Sequence, residues 1–156
     1  MSVRLAGPGR GRALPVVDRP LLRSRARRLL GALDHARSEL SIALIEDAEI
    51  ARLNASWGGR DRPTDVLAFS LLEGEHVAER GALLGDVVIG IETAARQARR
   101  ARRCLDDEIA RLLIHGTLHL LGFDHRRAVQ AREMRAEERR LWRTLRDAGL
   151  AGPRAR

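Results

Sequence analysis

The stretch LDDEIARLLIHGTLHLLGFDH, residues 105 to 125, decides the fold because it predicts one long helix inside the core. Asp106, Asp107 and Glu108 suit the first turn of a helix, where the helix dipole stabilises negative charge. Gly122 is a typical residue for ending a helix. Between these two ends, apolar residues occur almost all round the helix, which indicates that the helix is buried.

His115 and His119 are four residues apart in this helix, so both imidazoles lie on one face, about 6 Å apart. Gly122 turns the chain, and His125 can then return toward the pair. Three histidine ligands with an open fourth position are typical of catalytic zinc, and imidazole favours zinc among common metals. We predict one Zn2+ per chain on these three histidines; a pH-sensing histidine cluster is the main alternative.

The general base of such a site is less evident. Zinc peptidases of the H-E-x-x-H type carry a glutamate directly after the first histidine, and this chain has Gly116 there. A standard peptidase mechanism therefore lacks its base. Asp124 is the nearest acid in sequence, and Glu108 lies on the histidine face about 10 Å away by helical rise. Asp65 and Asp86 could approach through the fold, although each also fits a cap or a surface charge.

Composition and charge favour a polyanionic partner. The formal net charge is +8, and all 29 basic residues are arginine, whose guanidinium binds phosphate oxygens in pairs. A compositional bias explains the absence of lysine but not the excess of base over acid. Residues 95–103 carry no acidic side chain and fit either RNA contact or a solvated face. The arginines between Arg126 and Arg146 alternate with Glu133, Glu137 and Glu138, which predicts ion pairs within one helix.

Cellular location follows from what the sequence omits. Cys104 is the single cysteine, which fits a reducing compartment, and no apolar run is long enough to span a membrane. The N-terminal residues lack the apolar segment of a secretory signal. We therefore expect a cytoplasmic protein without membrane association.

The order of predicted elements indicates an α+β domain. Strands are expected within residues 39–47, 64–71 and 83–91, and helices at 20–33, from Asp47, and through most of the chain after residue 91. We predict a single domain over residues 1–156, a small β-sheet covered by helices, with the helix that carries the histidines buried at its centre. Residues 1–19 and 151–156 are expected to be irregular, apart from a short possible strand near residues 2–5.

HGTLHLLGFDH (115–125) resembles the signature H-G-x-x-H-x-x-G-(Y/F)-D-H of the YbeY-type rRNA maturation endoribonuclease family at every specified position. RPTDVLAF (62–69) and LLGDVVIG (83–90) resemble two further blocks of that family, and the resemblance covers about residues 40–147. It implies a small mixed sheet and a metal ion, usually zinc, on the three histidines. It also implies single-strand-specific RNA cleavage, 16S rRNA 3′-end maturation and ribosome quality control, with RNA and the small ribosomal subunit as partners and no DNA.

One block departs from the family pattern Y-R-x-x-D-x-P-T-D-V-L-S-F-P. Gly58 stands where the family has an arginine associated with RNA phosphate, and Ser70 stands where proline is usual. Arg60 or Arg62 could supply that charge from two to four residues further on. Arg60 is therefore one candidate catalytic residue, and Asp124, the acid nearest to the histidines in sequence, is the other.

The leading hypothesis is a metal-dependent endoribonuclease, a phosphodiester hydrolase. A zinc ion would lower the pKa of its bound water toward about 7 or polarise a phosphoryl oxygen, and arginines would neutralise the charge that develops. Whether water or the RNA 2′-OH attacks stays open. One alternative is a ribosome-assembly factor that binds RNA with a mainly structural metal and cleaves little. Another is a zinc hydrolase of a different substrate, which the positive charge and Gly116 disfavour.

Overall fold

The computed structural model describes residues 3–7, 14–57, 64–70 and 82–151. Within these ranges the chain forms four strands and five helices, which confirms the α+β class. The predicted elements all occur, with their ends shifted by a few residues. Their bounds in chain order are β1 Val3–Ala6, α1 Arg19–Ala32, β2 Glu39–Ile45, α2 Asp47–Ser56, β3 Val66–Ser70, β4 Leu83–Gly90, α3 Ile91–Ala101, α4 Leu105–Leu120 and α5 Ala128–Asp147.

The four strands form one mixed sheet in the order β1-β2-β4-β3. Strands β1 and β2 are parallel, as are β2 and β4, whereas β3 runs antiparallel to β4. The backbone of β1 pairs with β2 from Val3 opposite Leu40 onward. This strand coincides with the short strand expected near residues 2–5.

The two faces of the sheet are covered unequally. The larger core cluster joins β2 and β4 to helices α1, α4 and α5, and the smaller one contains Ile45, Ile50 and Val88 beneath α2. Helix α4 contacts β3, β4, α1, α3 and α5. Its apolar residues are buried as predicted, among them Ile109, Leu113 and Leu120. Packing on several sides explains why apolar residues surround this helix.

The starts of α2 and α3 cap each other. Helix α2 begins at Asp47, as expected. The Asp47 carboxylate accepts hydrogen bonds from the backbone N–H and hydroxyl of Thr93, at 3.1 and 3.0 Å, in the first turn of α3. Glu92 in turn accepts a hydrogen bond from the backbone N–H of Asp47 at 3.0 Å. Each helix therefore satisfies a free N–H group of the other, a pairing that sequence spacing cannot predict.

A buried arginine ties the start of α4 to the rest of the core. Arg25 of α1 is 3% exposed. Its guanidinium donates to the backbone carbonyls of Leu150 and Asp106, at 2.6 and 2.9 Å, and to the carboxylate of Asp107 at 2.9 Å. One side chain thereby joins α1, the first turn of α4 and the chain after α5.

Within the described residues, no helix is both long enough and apolar enough to cross a membrane. The polar composition of residues 73–82 predicts a loop, and all of these residues except Ala82 lie outside the described ones.

Candidate metal centre

The turn after α4 places the third histidine. Gly122 has a φ of 93°, a left-handed conformation that glycine adopts without strain. The N–H of Gly122 donates to the carbonyl of His119 at 3.1 Å, and the N–H of Phe123 donates to the carbonyl of Leu118 at 3.0 Å. This pair of bonds is a Schellman motif. Phe123 packs against the main core, so the chain is anchored directly before His125.

The structure brings the three predicted histidines together. One ring nitrogen from each of His115, His119 and His125 lies within 4.8 Å of the others. The Nε2 atoms of His115 and His119 are 3.0 Å apart. The ring of His125 lies 5.9 and 5.2 Å from the rings of His115 and His119, measured between centroids. This group could hold a metal ion.

The other ring nitrogens of two histidines are held by hydrogen bonds. Nδ1 of His115 donates to the carboxylate of Glu138 at 2.9 Å, and Nδ1 of His119 donates to the carbonyl of Phe123 at 2.9 Å. Because both partners only accept, we assign the proton of each neutral imidazole to Nδ1. Both Nε2 lone pairs then face the same 3.0 Å gap. Two facing lone pairs are stabilised by a metal ion or a shared proton between them, and imidazoles supported in this way are the usual ligands of zinc.

The contact of Glu138 with this site was missed, because an ion pair within its own helix was expected for it. Glu138 lies 23 residues after His115, on α5, and its carboxylate is bonded to that imidazole instead. A sequence indication did exist. Glu138 is four residues after Met134 and three before Leu141, and both of these are buried, so it belongs to the inward side of the helix.

The charges around the centre favour metal binding. Burial, followed by the charge of His115, lowers the pKa of His119 below its usual value, so the neutral form that binds metals is favoured. The hydrogen bond from His115 lowers the pKa of Glu138, which keeps this carboxylate ionised at neutral pH. An ionised acceptor holds the His115 ring in one orientation.

Asp124 lies at the mouth of the centre. Its carboxylate accepts from the backbone N–H of His125 at 2.7 Å and lies 3.4 Å from the guanidinium of Arg126. The bond from His125 lowers the pKa of Asp124, so the group is ionised at neutral pH and can accept a proton, although as a weaker base. An open pocket of about 410 Å³ is lined by His119, Gly122, Phe123, Asp124, His125 and Arg126.

Gly116 does not face this pocket. A Cβ atom there would lie 2.8 Å from Cγ1 of Val87 and 3.2 Å from Cγ2 of Val66. The residue after His115 therefore points at the sheet, and a glutamate in its place would meet β3 and β4. The close approach of α4 to the sheet accounts for the glycine.

Glu108 does not act as an acid at the metal centre, so this candidate was wrong. Its side chain is 1% exposed and forms ion pairs with Arg103 at 3.0 Å and Arg111 at 2.6 Å. Asp65 accepts from the backbone N–H of Val66 at 2.8 Å and from the amide of Gln97 at 3.2 Å, so it has local partners.

For two further candidate site residues, Asp86 and Arg60, the described part of the chain gives no contact with the histidines. Asp86 is half-buried on β4, opposite Phe69 of β3. Arg60, like Gly58 and Arg62, lies outside the described residues, and its role stays a prediction.

Comparisons with known proteins identify a single family. The family model described as Endoribonuclease YbeY matches residues 20–146, so the family-like region begins earlier than residue 40. The endoribonuclease YbeY of Anaeromyxobacter sp. (strain Fw109-5) is 49% identical over 131 residues, covering 84% of this chain and 65% of that protein. This chain thus spans about two thirds of that relative's length. The endoribonuclease YbeY of Geobacter metallireducens is 40% identical over 150 residues, covering 95% of this chain and 99% of the other.

A solved structure shows the same fold. The solution structure of TM1509 from Thermotoga maritima matches with a TM-score of 0.58 and 25% identity, covering 99% of each chain. The resemblance inferred from the histidine signature is therefore confirmed, together with the enzyme class that it implied, an endonuclease among the hydrolases. The chain belongs to the endoribonuclease YbeY family.

Proposed function

We propose that this chain is a zinc-dependent, single-strand-specific endoribonuclease that acts in the cytoplasm, in 16S rRNA 3′-end maturation and ribosome quality control. Membership of the endoribonuclease YbeY family supports RNA as the substrate. The observation that carries the proposal is the 3.0 Å approach of the Nε2 atoms of His115 and His119, with both Nδ1 atoms already bonded. Together with the nearby nitrogen of His125, this arrangement offers three ligand atoms to one ion.

The residues that would hold the metal are His115, His119 and His125, one ring nitrogen from each. A bound zinc ion would acidify a coordinated water or polarise a phosphoryl oxygen of the RNA. Three protein ligands leave a position for water or substrate, and the pocket beside His119 and His125 is open to solvent on that side.

The other residues of the centre orient groups, accept protons and bind charge. Glu138 and the carbonyl of Phe123 keep the proton of two imidazoles on Nδ1. Asp124 is ionised and is our candidate to accept a proton at the mouth of the pocket. Arg126 also lines the pocket, and Arg60 is our further candidate to stabilise the charge on the phosphate.

The test compares the wild-type chain with the His119→Ala variant. We expect about one zinc per wild-type chain by mass spectrometry of untagged protein, and cleavage of a single-stranded RNA. The variant should lose both because one of three ligands is absent. His35→Ala is the matched control, since His35 lies outside the site with its Nδ1 bonded to Ser38 at 3.1 Å, and it should keep both properties.

Two results would contradict the proposal. If the wild-type chain binds no metal, the three histidines are not a metal site. If the His119→Ala variant still cleaves RNA, the histidine site is not required for catalysis. If the variant loses its metal and its stability while cleavage persists, the metal is structural. Circular dichroism of each variant separates loss of the site from loss of the fold.

A further inference from the structure

The outward side of α5 is a continuous row of arginines. Five of them are spaced three, four, four and three residues apart along the helix. At 3.6 residues per turn they fall within an arc of about 80° and extend over about 21 Å. All five are exposed. This arginine face consists of Arg132, Arg135, Arg139, Arg143 and Arg146.

The acidic residues of α5 lie away from the arginine face. Glu138 points inward to His115, and Glu137 pairs with Arg140 on the other flank of the helix. Glu133 and Asp147 fall about 80 to 120° from the centre of the face. No ion pair joins the five arginines to any residue that the structure describes. The predicted ion pairs within this helix are therefore wrong for these arginines; Arg140 does form one.

This arrangement weakens the helix that carries it. Neighbouring arginines on the face are three or four residues apart, and like charges at these spacings repel each other. A glutamate in place of one of these arginines would pair with its neighbours and relieve the repulsion. Elsewhere on the helix, Glu137 forms such a pair with Arg140, three residues later. Local choices that oppose folding are expected where a surface has a binding role.

We propose that the arginine face binds the phosphate backbone of the RNA strand that flanks the metal centre. The inference rests on the proposed function, which supplies RNA as the substrate. Guanidinium groups about one helical turn apart present a row of forks for phosphate oxygens, and such contacts do not depend on base sequence. Arg139, the middle residue of the face, follows Glu138, which contacts His115, so the face runs past the level of the metal centre about 100° round the helix from Glu138.

A membrane surface fits this face less well. Helices that lie in a membrane interface insert an apolar side next to their basic side. In α5 the apolar side is occupied within the protein, because Met134, Leu141 and Leu145 are buried in the core. Trp142 also packs against that core. The core thus covers the apolar side of α5, and Val129 in the first turn is the single large apolar residue left exposed on the helix, too little for insertion into a membrane interface.

The experiment measures RNA binding by the full chain in the presence of EDTA, so that no RNA is cut. The test variant is Arg135→Gln, Arg139→Gln and Arg143→Gln, and the matched control is Arg28→Gln, Arg37→Gln and Arg52→Gln. The control residues are exposed and lie outside α5, and each triple change removes three charges. The probe is a fluorescent single-stranded RNA, titrated at several KCl concentrations.

We expect the test variant to bind RNA about tenfold more weakly or worse, and its slope of log Kd against log salt to fall by about 2, near 0.7 per lost phosphate contact. The control should change the slope by less than half as much. Equal changes in both variants would reduce the effect to net charge and overturn the proposal. Unchanged RNA binding by the test variant would also overturn the proposal. Binding of both variants to phosphatidylserine vesicles is measured in parallel, and a test variant that loses only vesicle binding would show that the face binds a membrane instead.

Cleavage by the same proteins separates this inference from the proposed function. With zinc and limiting RNA, the test variant should cleave more slowly, in proportion to its loss of RNA binding, whereas the control variant should cleave at the wild-type rate. A wild-type chain that binds RNA through this face but cleaves none would refute the proposed function and leave the binding surface standing. A test variant that binds normally but cleaves slowly would overturn the surface alone.

Discussion

Helices α4 and α5 lie against each other but differ in what their residues serve. Ten of the 16 residues of α4 are buried, against three of the 20 residues of α5. In α4 the ionisable side chains have defined partners: Glu108 has two guanidiniums, and His115 and His119 have acceptors for their Nδ1 protons. The arginine face of α5 has no ion-pair partner among the described residues. Packing in the core therefore determines which residues occur in α4, whereas the proposed RNA binding explains the arginines on the outer side of α5.

This comparison implies different results for substitutions in the two helices. Changes around α4 should reduce stability, because they disturb groups that the core encloses. A change at Glu138, beside the buried side of α5, should reduce metal affinity while the fold persists. The comparison would fail if a change around α4 left the stability unchanged, or if the change in α5 reduced stability instead of metal affinity. Three tests follow.

The largest expected effect is at Arg25, which anchors the first turn of α4. Arg25→Ala removes a side chain that is 3% exposed and leaves the carbonyls of Leu150 and Asp106 without this donor. We expect a loss of about 3 kcal/mol or more in the free energy of unfolding. Urea denaturation followed by circular dichroism measures it.

Arg28→Ala is the matched control on the same helix, since Arg28 is exposed. It should change the free energy of unfolding by no more than about 0.5 kcal/mol. Equal losses in the two variants would mean that Arg25 contributes through helix propensity or charge alone, and not through its buried hydrogen bonds.

Gly116→Ala should cost about 1 to 3 kcal/mol, because the added methyl group would overlap Val87 and press on Val66 where α4 meets the sheet. Gly31→Ala in α1 has open space around its Cβ and should be neutral or stabilise by up to about 1 kcal/mol. Thermal unfolding of both variants gives the sign. A Gly116→Ala protein as stable as the wild type would show that α4 can move away from the sheet at no cost.

Glu138→Gln should weaken zinc binding by about 10- to 100-fold, because the amide holds the His115 imidazole less firmly and adds less basicity. Its stability without metal should change little, since the side chain is 28% exposed. Competition with a chromophoric chelator measures the affinity. Glu137→Gln is the control, because Glu137 pairs with Arg140 instead of a histidine. An equal loss of affinity in the control would contradict a role for the contact with His115.

Much of the local structure could be predicted because local spacing encodes it. The acidic start at Asp106 and the glycine at 122 correctly indicated one helix, and alternation in β2 matches buried Leu40, Ile42 and Leu44. Asp47 shows the limit of such reasoning. It lies where a cap of α2 is expected, yet it bonds to Thr93, 46 residues away, because packing brings the two helix starts together.

The sequence by itself determined the α+β class, the buried helix and the cluster of three histidines, because a four-residue spacing and one glycine turn are local geometry. Only the tertiary structure decided three other features: the strand order, the inward position of Gly116 against Val87, and the bond from His115 to Glu138. These depend on which distant elements share a core. The same packing exposed the arginine face, since burying one side of α5 sends the opposite side to solvent.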